Sequence, residues 1–168
     1  TITAATTGIV TAAVSDTIAN LLSLTSSSTD VITVTVSDAA TVAEFTTLDA
    51  VTSVDVVLTG GLTDTAVNYA ATDGTATSGL TAATTQDPDV VITISDAANI
   101  AQFNTIDGLT TSNVVLSGGL TDTAVNYAAT DGIVTAGATA ASTQDPDVVI
   151  TVSDGVNIAQ LNTIDGLS

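Results

Sequence analysis

The chain repeats itself, and this repeat limits the possible folds more than any other feature of the sequence. Residues 60–74 read GGLTDTAVNYAATDG, and the same letters return at residues 118–132, 58 positions later. A unit of this size is too small to bury its own apolar face, so neighbouring units must stack. We predict one array over residues 1–168, made of diverged first coils in 1–36, a repeat in 37–94, a second in 95–152 and a partial third in 153–168.

Within each repeat, strand patterns alternate with helix patterns. A β-branched run at 90–94 predicts a strand, and Ser95 and Asp96 predict a helix N-cap directly after it. A helix of about three turns is predicted next, because apolar residues then recur at every third position: Ala97, Ile100, Phe103, Ile106 and Leu109. The second half follows the same order, with a strand at 114–116, a cap and helix after residue 120, and a strand at 133–135.

This order of elements is typical of a parallel sheet with crossover helices. We therefore predict an α/β repeat solenoid, in which short parallel strands alternate with short capped helices. The alternative fold is a row of tandem β-sandwich domains. A period of 58 residues is short for such domains, and the helical stripes also argue against them.

The composition excludes several functions. The chain has no Lys, Arg, His or Cys, while Asp and Glu total 18, which gives a formal net charge of −18. Nucleic acids and anionic membranes are therefore not expected partners, because both need basic side chains to neutralise phosphate. No apolar run is long enough for membrane insertion. Hydroxyl groups lack a His, Lys or Cys partner that could activate them, so we predict that the chain is not an enzyme.

Two Asp-Pro-Asp turns are the candidate metal sites. Asp87 and Asp89 flank Pro88, and Asp145 and Asp147 flank Pro146, each pair just before a predicted strand. Stacked repeats would bring such turns into a ladder, and carboxylate oxygens are the ligands that Ca²⁺ prefers. We therefore predict calcium at these four aspartates. The alternative is that Asp-Pro-Asp serves only as turn chemistry.

We predict structural roles for seven further aspartates and for both tyrosines. Aspartates beside a serine are predicted to cap the helices that they precede: Asp38, Asp96 and Asp154. Asp73 and Asp131 precede glycines and are predicted to be turn residues. Asp49 and Asp107 fall at helix ends, where either a cation or a turn hydrogen bond would hold them. Both tyrosines, Tyr69 and Tyr127, lie in apolar helical patterns and are predicted to pack in the core.

Two segments carry a resemblance to a known class of proteins. VSDAATVAEFTTLDAVT at residues 36–52 and ISDAANIAQFNTIDGLT at residues 94–110 resemble repeats in very large, acidic, secreted surface proteins of cyanobacteria and some proteobacteria. The resemblance implies an extracellular structural or adhesive role, in surface layers, adhesins or filaments, with calcium dependence. It implies no catalytic residues.

These observations lead to one functional prediction and one alternative. We predict a secreted structural protein that associates with itself end to end, because a chain that starts and stops within a repeat has no polar caps. The product would be a filament or a surface layer, with divalent cations screening the acidic surface. The alternative is a monomeric adhesin stalk or spacer segment, stabilised by calcium.

Overall fold

The computed structural model describes residues 8–27 and 29–168, and these form an α/β fold of short parallel strands in small sheets, alternating with helices. Residues 1–7 and 28 of the predicted first coils lie outside the described residues. The strands are β1 (Thr11–Asp16), β2 (Val31–Val36), β3 (Val56–Leu58), β4 (Leu62–Asp64), β5 (Ile92–Ile94), β6 (Val114–Leu116), β7 (Leu120–Asp122) and β8 (Ile150–Val152). The helices are α1 (Ile18–Leu21), α2 (Val42–Asp49), α3 (Ala66–Tyr69), α4 (Ser78–Gln86), α5 (Ile100–Asp107), α6 (Ala124–Tyr127), α7 (Ala136–Gln144) and α8 (Ile158–Asp165).

The strands pair in parallel in three small sheets, ordered β1-β2-β3, β4-β5-β6 and β7-β8. The register advances by 22 residues from Ile92 to Val114 and by 30 residues from Leu62 to Ile92. Two kinds of unit therefore alternate. A short unit holds one helix (residues 31–55, 92–113 and 150–168), and a long unit holds two strands and two helices (residues 56–91 and 114–149). Residues 8–30 precede them, and we call this segment the first unit.

A pair of glycines moves the chain from one sheet to the next. After β3, Gly60 lies so close to the backbone of Asp38 that a Cβ atom would stand 2.1 Å from its carbonyl carbon. Gly61 follows with a φ of 76°, a left-handed conformation that glycine adopts without steric cost. Gly118 and Gly119 repeat this arrangement between β6 and β7. The next strand then starts a new sheet, held to the previous one by single parallel bridges at Ala40–Leu62 and Ala98–Leu120.

The core lies between the inward faces of the strands and the buried faces of the helices. Fully buried side chains there are mostly aliphatic, with a pair of phenylalanines: Val34, Val36, Phe45, Leu48, Ile92, Ile94, Phe103 and Ile106. The helical stripe predicted from every third residue is confirmed at Ile100, Phe103 and Ile106, although α5 is shorter than the predicted helix. Tyr69 and Tyr127 are also fully buried, which confirms their predicted packing role.

Three local predictions were wrong. Thr121 and Asp122, predicted as a helix cap, lie in β7, and Thr123 is the N-cap residue of α6. Residues 133–135 form no strand, since Val134 makes only an isolated antiparallel bridge with Ala128. The chain instead enters α7, and its counterpart α4 follows the same turn one repeat earlier. The N-cap of α5 is Asn99 and not Ser95 or Asp96, because Asn99 and Gln102 form a capping box around the first turn.

Candidate functional site: the carboxylates and the C-terminal face

One predicted metal-ligating aspartate of each turn accepts a hydrogen bond from a backbone amide of a neighbouring strand. Asp87 ends α4, and its Oδ2 accepts a hydrogen bond from the Leu58 amide at 2.6 Å. Asp145 takes the same place after α7 and accepts from Leu116 at 3.3 Å. Both are half-buried, whereas Asp89 and Asp147 are exposed. One carboxylate of each turn is therefore already engaged in holding the unit before it.

Asp87 has an unusual electrostatic environment. Burial raises the pKa of this carboxyl, the Leu58 amide opposes that rise, and the neighbouring Asp89 carboxylate adds to it. The two carboxylates line a cavity of about 200 Å³ together with Leu58, Val90 and other strand residues. A cation in this cavity would relieve the repulsion between them.

The donor set at this turn is small for calcium. Among residues 8–27 and 29–168, no three acidic side chains lie close enough together to hold a metal ion as a group. Ca²⁺ takes about six to eight oxygen ligands, so most would have to be backbone carbonyls or water. The turns thus offer two carboxylates each, and calcium binding there remains a prediction.

Five of the other aspartates link one unit to the next. In each case the aspartate ends a strand or closely follows one, and its carboxylate accepts the first backbone amide of a helix in the preceding unit, at 2.6–3.0 Å: Asp38 from Ile18, Asp64 from Val42, Asp96 from Ala66, Asp122 from Ile100 and Asp154 from Ala124. We call this series the aspartate ladder. Negative charge at a helix N-terminus is favourable, because the unpaired amides there carry partial positive charge.

The ladder corrects the predicted role of three aspartates. Asp38, Asp96 and Asp154 do stand at helix starts, but the helix that each one caps belongs to the unit before it. The helices that directly follow these residues in sequence are capped by Thr41, Asn99 and Asn157. The sequence alone could not reveal this, since a cap between stacked units depends on their spacing in three dimensions.

Two members of the ladder share a local motif, Asp-Thr-x-x-Asn. Asp64 uses Oδ1 for the Thr65 amide (2.8 Å) and the Asn68 side chain (2.6 Å), and Oδ2 for the Val42 amide (3.0 Å). Asp122 repeats all three contacts one repeat later. The motif recurs at Asp16, where Oδ1 accepts from Thr17 and Asn20. Asp64 and Asp122 thus bind their own unit with one oxygen and the preceding unit with the other.

The sequence left open what holds Asp49 and Asp107 at the helix ends. In the structure each of them accepts a hydrogen bond from a glutamine side chain. The Gln86 side chain donates to Asp49 at 2.6 Å, and its carbonyl oxygen accepts the Val56 amide at 2.7 Å. Gln144 joins Asp107 and the Val114 amide in the same way. Asp73 and Asp131 accept amides two residues ahead, which confirms them as turn residues.

The tyrosine hydroxyls do not form a reactive site. Tyr69 donates to the Thr93 carbonyl and Tyr127 to the Thr151 carbonyl, each at 3.2 Å. Burial raises the pKa of both phenols, and the nearby Asp64 and Asp122 carboxylates raise it further. Both side chains therefore stay protonated donors and serve the packing between units.

The C-terminal short unit presents an apolar face that its earlier copies bury. Ile158 is 79% exposed, whereas its counterparts Val42 and Ile100 are 8% and 7% exposed. Leu161 is 52% exposed, whereas the equivalent Phe45 and Phe103 are fully buried. Along β8, Ile150 and Val152 are half-buried, although Ile92 and Ile94 in β5 are fully buried. We call this surface, formed by β8 and α8, the C-terminal face.

No protein-family model, curated protein or solved structure matches this chain. Among the described residues, no helix has the length and apolar character needed to cross a membrane.

Proposed function

We propose that this chain is a non-catalytic, secreted structural protein whose units stack as an α/β solenoid and whose copies associate end to end into a filament or surface layer. The observation that carries the proposal is the set of contacts between successive units, which recurs along the chain. In the earlier copies of the C-terminal face, Ile100 and Phe103 are buried, so this kind of surface packs against a further unit.

The contacts between units support the solenoid. Each unit contributes a parallel strand to its neighbour and a carboxylate to the neighbour's helix, so the same contact set recurs along the chain. A stack of this kind has no internal feature that limits its length, and it grows until an end is blocked.

The composition supports an exterior location and a scaffolding role. A chain without Lys or Arg offers trypsin-like proteases no cleavage site, and a charge of −18 resists lateral aggregation of finished assemblies. The carboxylates with described partners mostly hold amides between units and turns, which is a structural use of the acidic groups.

Sedimentation velocity tests the proposal most simply. We expect the wild-type chain to form large species whose size increases with protein concentration. The double substitution Ile158→Asp and Leu161→Asp should abolish them, because it places two charges in the face that must be desolvated. Val67→Asp with Val125→Asp is the matched control, since these residues are 58% and 52% exposed and lie outside that face.

The outcomes separate the two functions considered. Assembly that is lost only in the C-terminal variant supports a polymer. A wild-type chain that stays monomeric at all concentrations contradicts the polymer and fits a stalk segment instead. Equal assembly of both variants shows that the C-terminal face is not the contact surface.

We further propose that Ca²⁺ binds at the Asp-Pro-Asp turns and lowers the repulsion between units. The support is the cavity of about 200 Å³ that both Asp87 and Asp89 line, in which a cation would reduce the repulsion between the two carboxylates. Isothermal titration with CaCl₂ should give binding that is lost when Asp87, Asp89, Asp145 and Asp147 are replaced by Asn. Identical titration curves for the two proteins would contradict a site at these turns.

A further inference from the structure

The chain contains five Asp-Gly dipeptides, and one of them, Asp154 with Gly155, has a glycine amide that donates to no acceptor among the described residues. The other four glycine amides donate to backbone carbonyls at 2.8–3.2 Å: Gly74 to Ala71, Gly108 to Asn104, Gly132 to Ala129 and Gly166 to Thr163. Asp154 and Gly155 lie between β8 and α8, and both are exposed. No hydrogen bond within the described chain therefore holds the Gly155 nitrogen in place.

An aspartate that precedes a glycine can react with its own backbone, because glycine has no Cβ atom to hinder ring closure. The glycine nitrogen attacks the Cγ atom of the protonated carboxyl group, a C–N bond forms, and the hydroxyl oxygen leaves as water with the proton of the nitrogen. The product is a five-membered succinimide. Water then opens this ring at one of its two carbonyl carbons. Opening at Cγ restores aspartate, whereas opening at the backbone carbon gives isoaspartate, whose main chain runs through Cβ and Cγ.

The surroundings of Asp154 leave room for this reaction. Its Oδ1 accepts the Ala124 amide at 2.7 Å, whereas its Oδ2 accepts nothing from the described residues and is free to leave as water. Apart from the neighbouring residues in the chain, no heavy atom lies within 4 Å of the place that a Cβ atom on Gly155 would take. The backbone can therefore rotate until the Gly155 nitrogen meets the Asp154 Cγ atom.

The equivalent positions in the earlier repeats carry alanine in place of glycine. Asp38 and Asp96 precede Ala39 and Ala97, and both alanines are exposed although a further unit packs against each of those repeats. Their amides also donate to no acceptor among the described residues. The open surroundings thus belong to this place in the fold, and the repeat that carries Gly155 adds a reactive dipeptide to them.

We propose that Asp154 and Gly155 form a site of spontaneous succinimide formation, and that the isoaspartate product breaks one contact of the aspartate ladder. In isoaspartate the free carboxylate is attached directly to Cα, and the main chain is longer by one carbon atom. The carboxylate then no longer holds the Ala124 amide at the start of α6. The other members of the ladder keep their contacts, because none of them precedes a glycine.

The expected consequence is local. The parallel pairing of β7 with β8 and the burial of Tyr127 do not depend on the Asp154 carboxylate, so the chain stays folded after the reaction. What weakens is the contact between the long unit of residues 114–149 and the short unit of residues 150–168. The reaction is slow and needs no enzyme, so the modified fraction increases with the age of the protein.

Heavy-oxygen water tests the site, because ring opening in H₂¹⁸O adds one ¹⁸O atom to the carboxyl group. The folded wild-type chain is incubated in H₂¹⁸O in a mildly acidic buffer. Mass spectrometry of its peptic peptides, with electron-transfer fragmentation, locates the label and distinguishes isoaspartate from aspartate. We expect Asp154 to take up label about tenfold faster than the other four Asp-Gly dipeptides, whose glycine amides must first break a hydrogen bond. In urea all five should react at similar rates.

Gly155→Ala is the matched variant, because the earlier repeats carry alanine at this place and the fold accepts it. Label uptake at Asp154 should fall by about tenfold in this variant, since the added Cβ atom hinders ring closure. Hydrogen exchange of the Ala124 amide is a second readout. It should be about tenfold faster in the isomerised wild-type chain than in the fresh one, the effect of losing a charged acceptor. Incubated Gly155→Ala should show no such change.

Three outcomes would overturn the proposal. The first is label at Asp73 or Asp131 in the folded chain as fast as at Asp154. The second is a folded chain in which Asp154 stays unlabelled while the chain in urea takes up label. The third, isoaspartate at Asp154 without faster exchange at Ala124, would overturn the effect on the ladder. Each readout concerns a single chain, so it is independent of the association between copies.

Discussion

At the scale of single residues, the absence of basic side chains decides what the carboxylates bind. An aspartate in this chain has no Lys or Arg to pair with, so its strongest available partners are N–H groups. Asp64 satisfies this need with two backbone amides and one side-chain amide while only 9% exposed. Without the carboxylate, the Val42 amide at the start of α2 would lack this acceptor, so the contact satisfies both the buried charge and the helix end.

Asp64→Asn should destabilise the fold, because an Asn side chain offers one acceptor oxygen in place of two. We expect the free energy of unfolding, measured with urea, to fall by about 1–3 kcal/mol. Asp55→Asn is the control for the change in net charge, since Asp55 is exposed and makes no such contacts. Equal effects of the two substitutions would mean that the ladder contributes nothing to stability beyond its charge.

Two carboxyl groups should titrate on opposite sides of the ordinary aspartate pKa of 3.8. Amide hydrogen bonds from Ser27 and Val10 hold the pKa of Asp30 below that value, so its stabilising contribution is present above pH 3.8 and is lost as pH falls through the lowered pKa. Burial raises the pKa of Asp87, so its contribution is present below pH 3.8 and is lost as pH rises through the raised pKa.

Carboxyl-detected NMR of the folded chain measures both titrations. We expect the midpoint of Asp30 to lie below the midpoint of Asp87. The reverse order would contradict the hydrogen-bonding and burial described for these two side chains.

At the scale of elements, the helices are short and depend on their first turns and on their neighbours. The capping boxes of α2, α5 and α8 set the point at which each helix begins. The longer α4 and α7 have no wide apolar stripe, and they pack on α2 and α5 through Gly79 and Gly137. A helix of about nine residues is marginal in isolation, so tertiary contacts must supply most of its stability.

The pattern of buried apolar residues explains which elements the sequence predicts and which it does not. The strand at Val114–Leu116 and the stripe of Ile100, Phe103 and Ile106 are visible because burial imposes a period on apolar residues. α7 was missed because its buried positions are Gly137, Ala138 and Ala141, which carry almost no hydrophobic signal. The aspartate ladder was missed because its partners are 20 to 30 residues away, a distance that only the stacking of units closes.

The glycine pair between β6 and β7, Gly118 and Gly119, allows a test of how closely successive units approach each other. Gly118→Ala should lower the free energy of unfolding by at least about 2 kcal/mol, because the added Cβ would stand 2.0 Å from the backbone of Asp96. Gly155→Ala is the control, since nothing lies within 4 Å of its Cβ position. Urea unfolding compares them, and a tolerated Gly118→Ala would contradict the close approach between units.

At the scale of the whole molecule, stacking and charge act in opposite directions. Parallel pairing, buried aliphatic residues and the ladder hold successive units together, while 18 carboxylates repel one another along the stack. Four apolar side chains of β8 and α8 are exposed or half-buried, whereas the equivalent side chains of the two preceding short units are buried: Ile150, Val152, Ile158 and Leu161.

Electron microscopy of the purified wild-type chain is the most direct test of end-to-end assembly. We expect unbranched filaments whose power spectrum shows a meridional reflection at about 4.8 Å, the spacing of neighbouring strands stacked along the axis. We expect excess chelator to shorten the filaments, because it removes the Ca²⁺ that reduces the repulsion between carboxylates at the Asp-Pro-Asp turns. Uniform single particles at all protein and salt concentrations, or filaments without that reflection, would contradict the account.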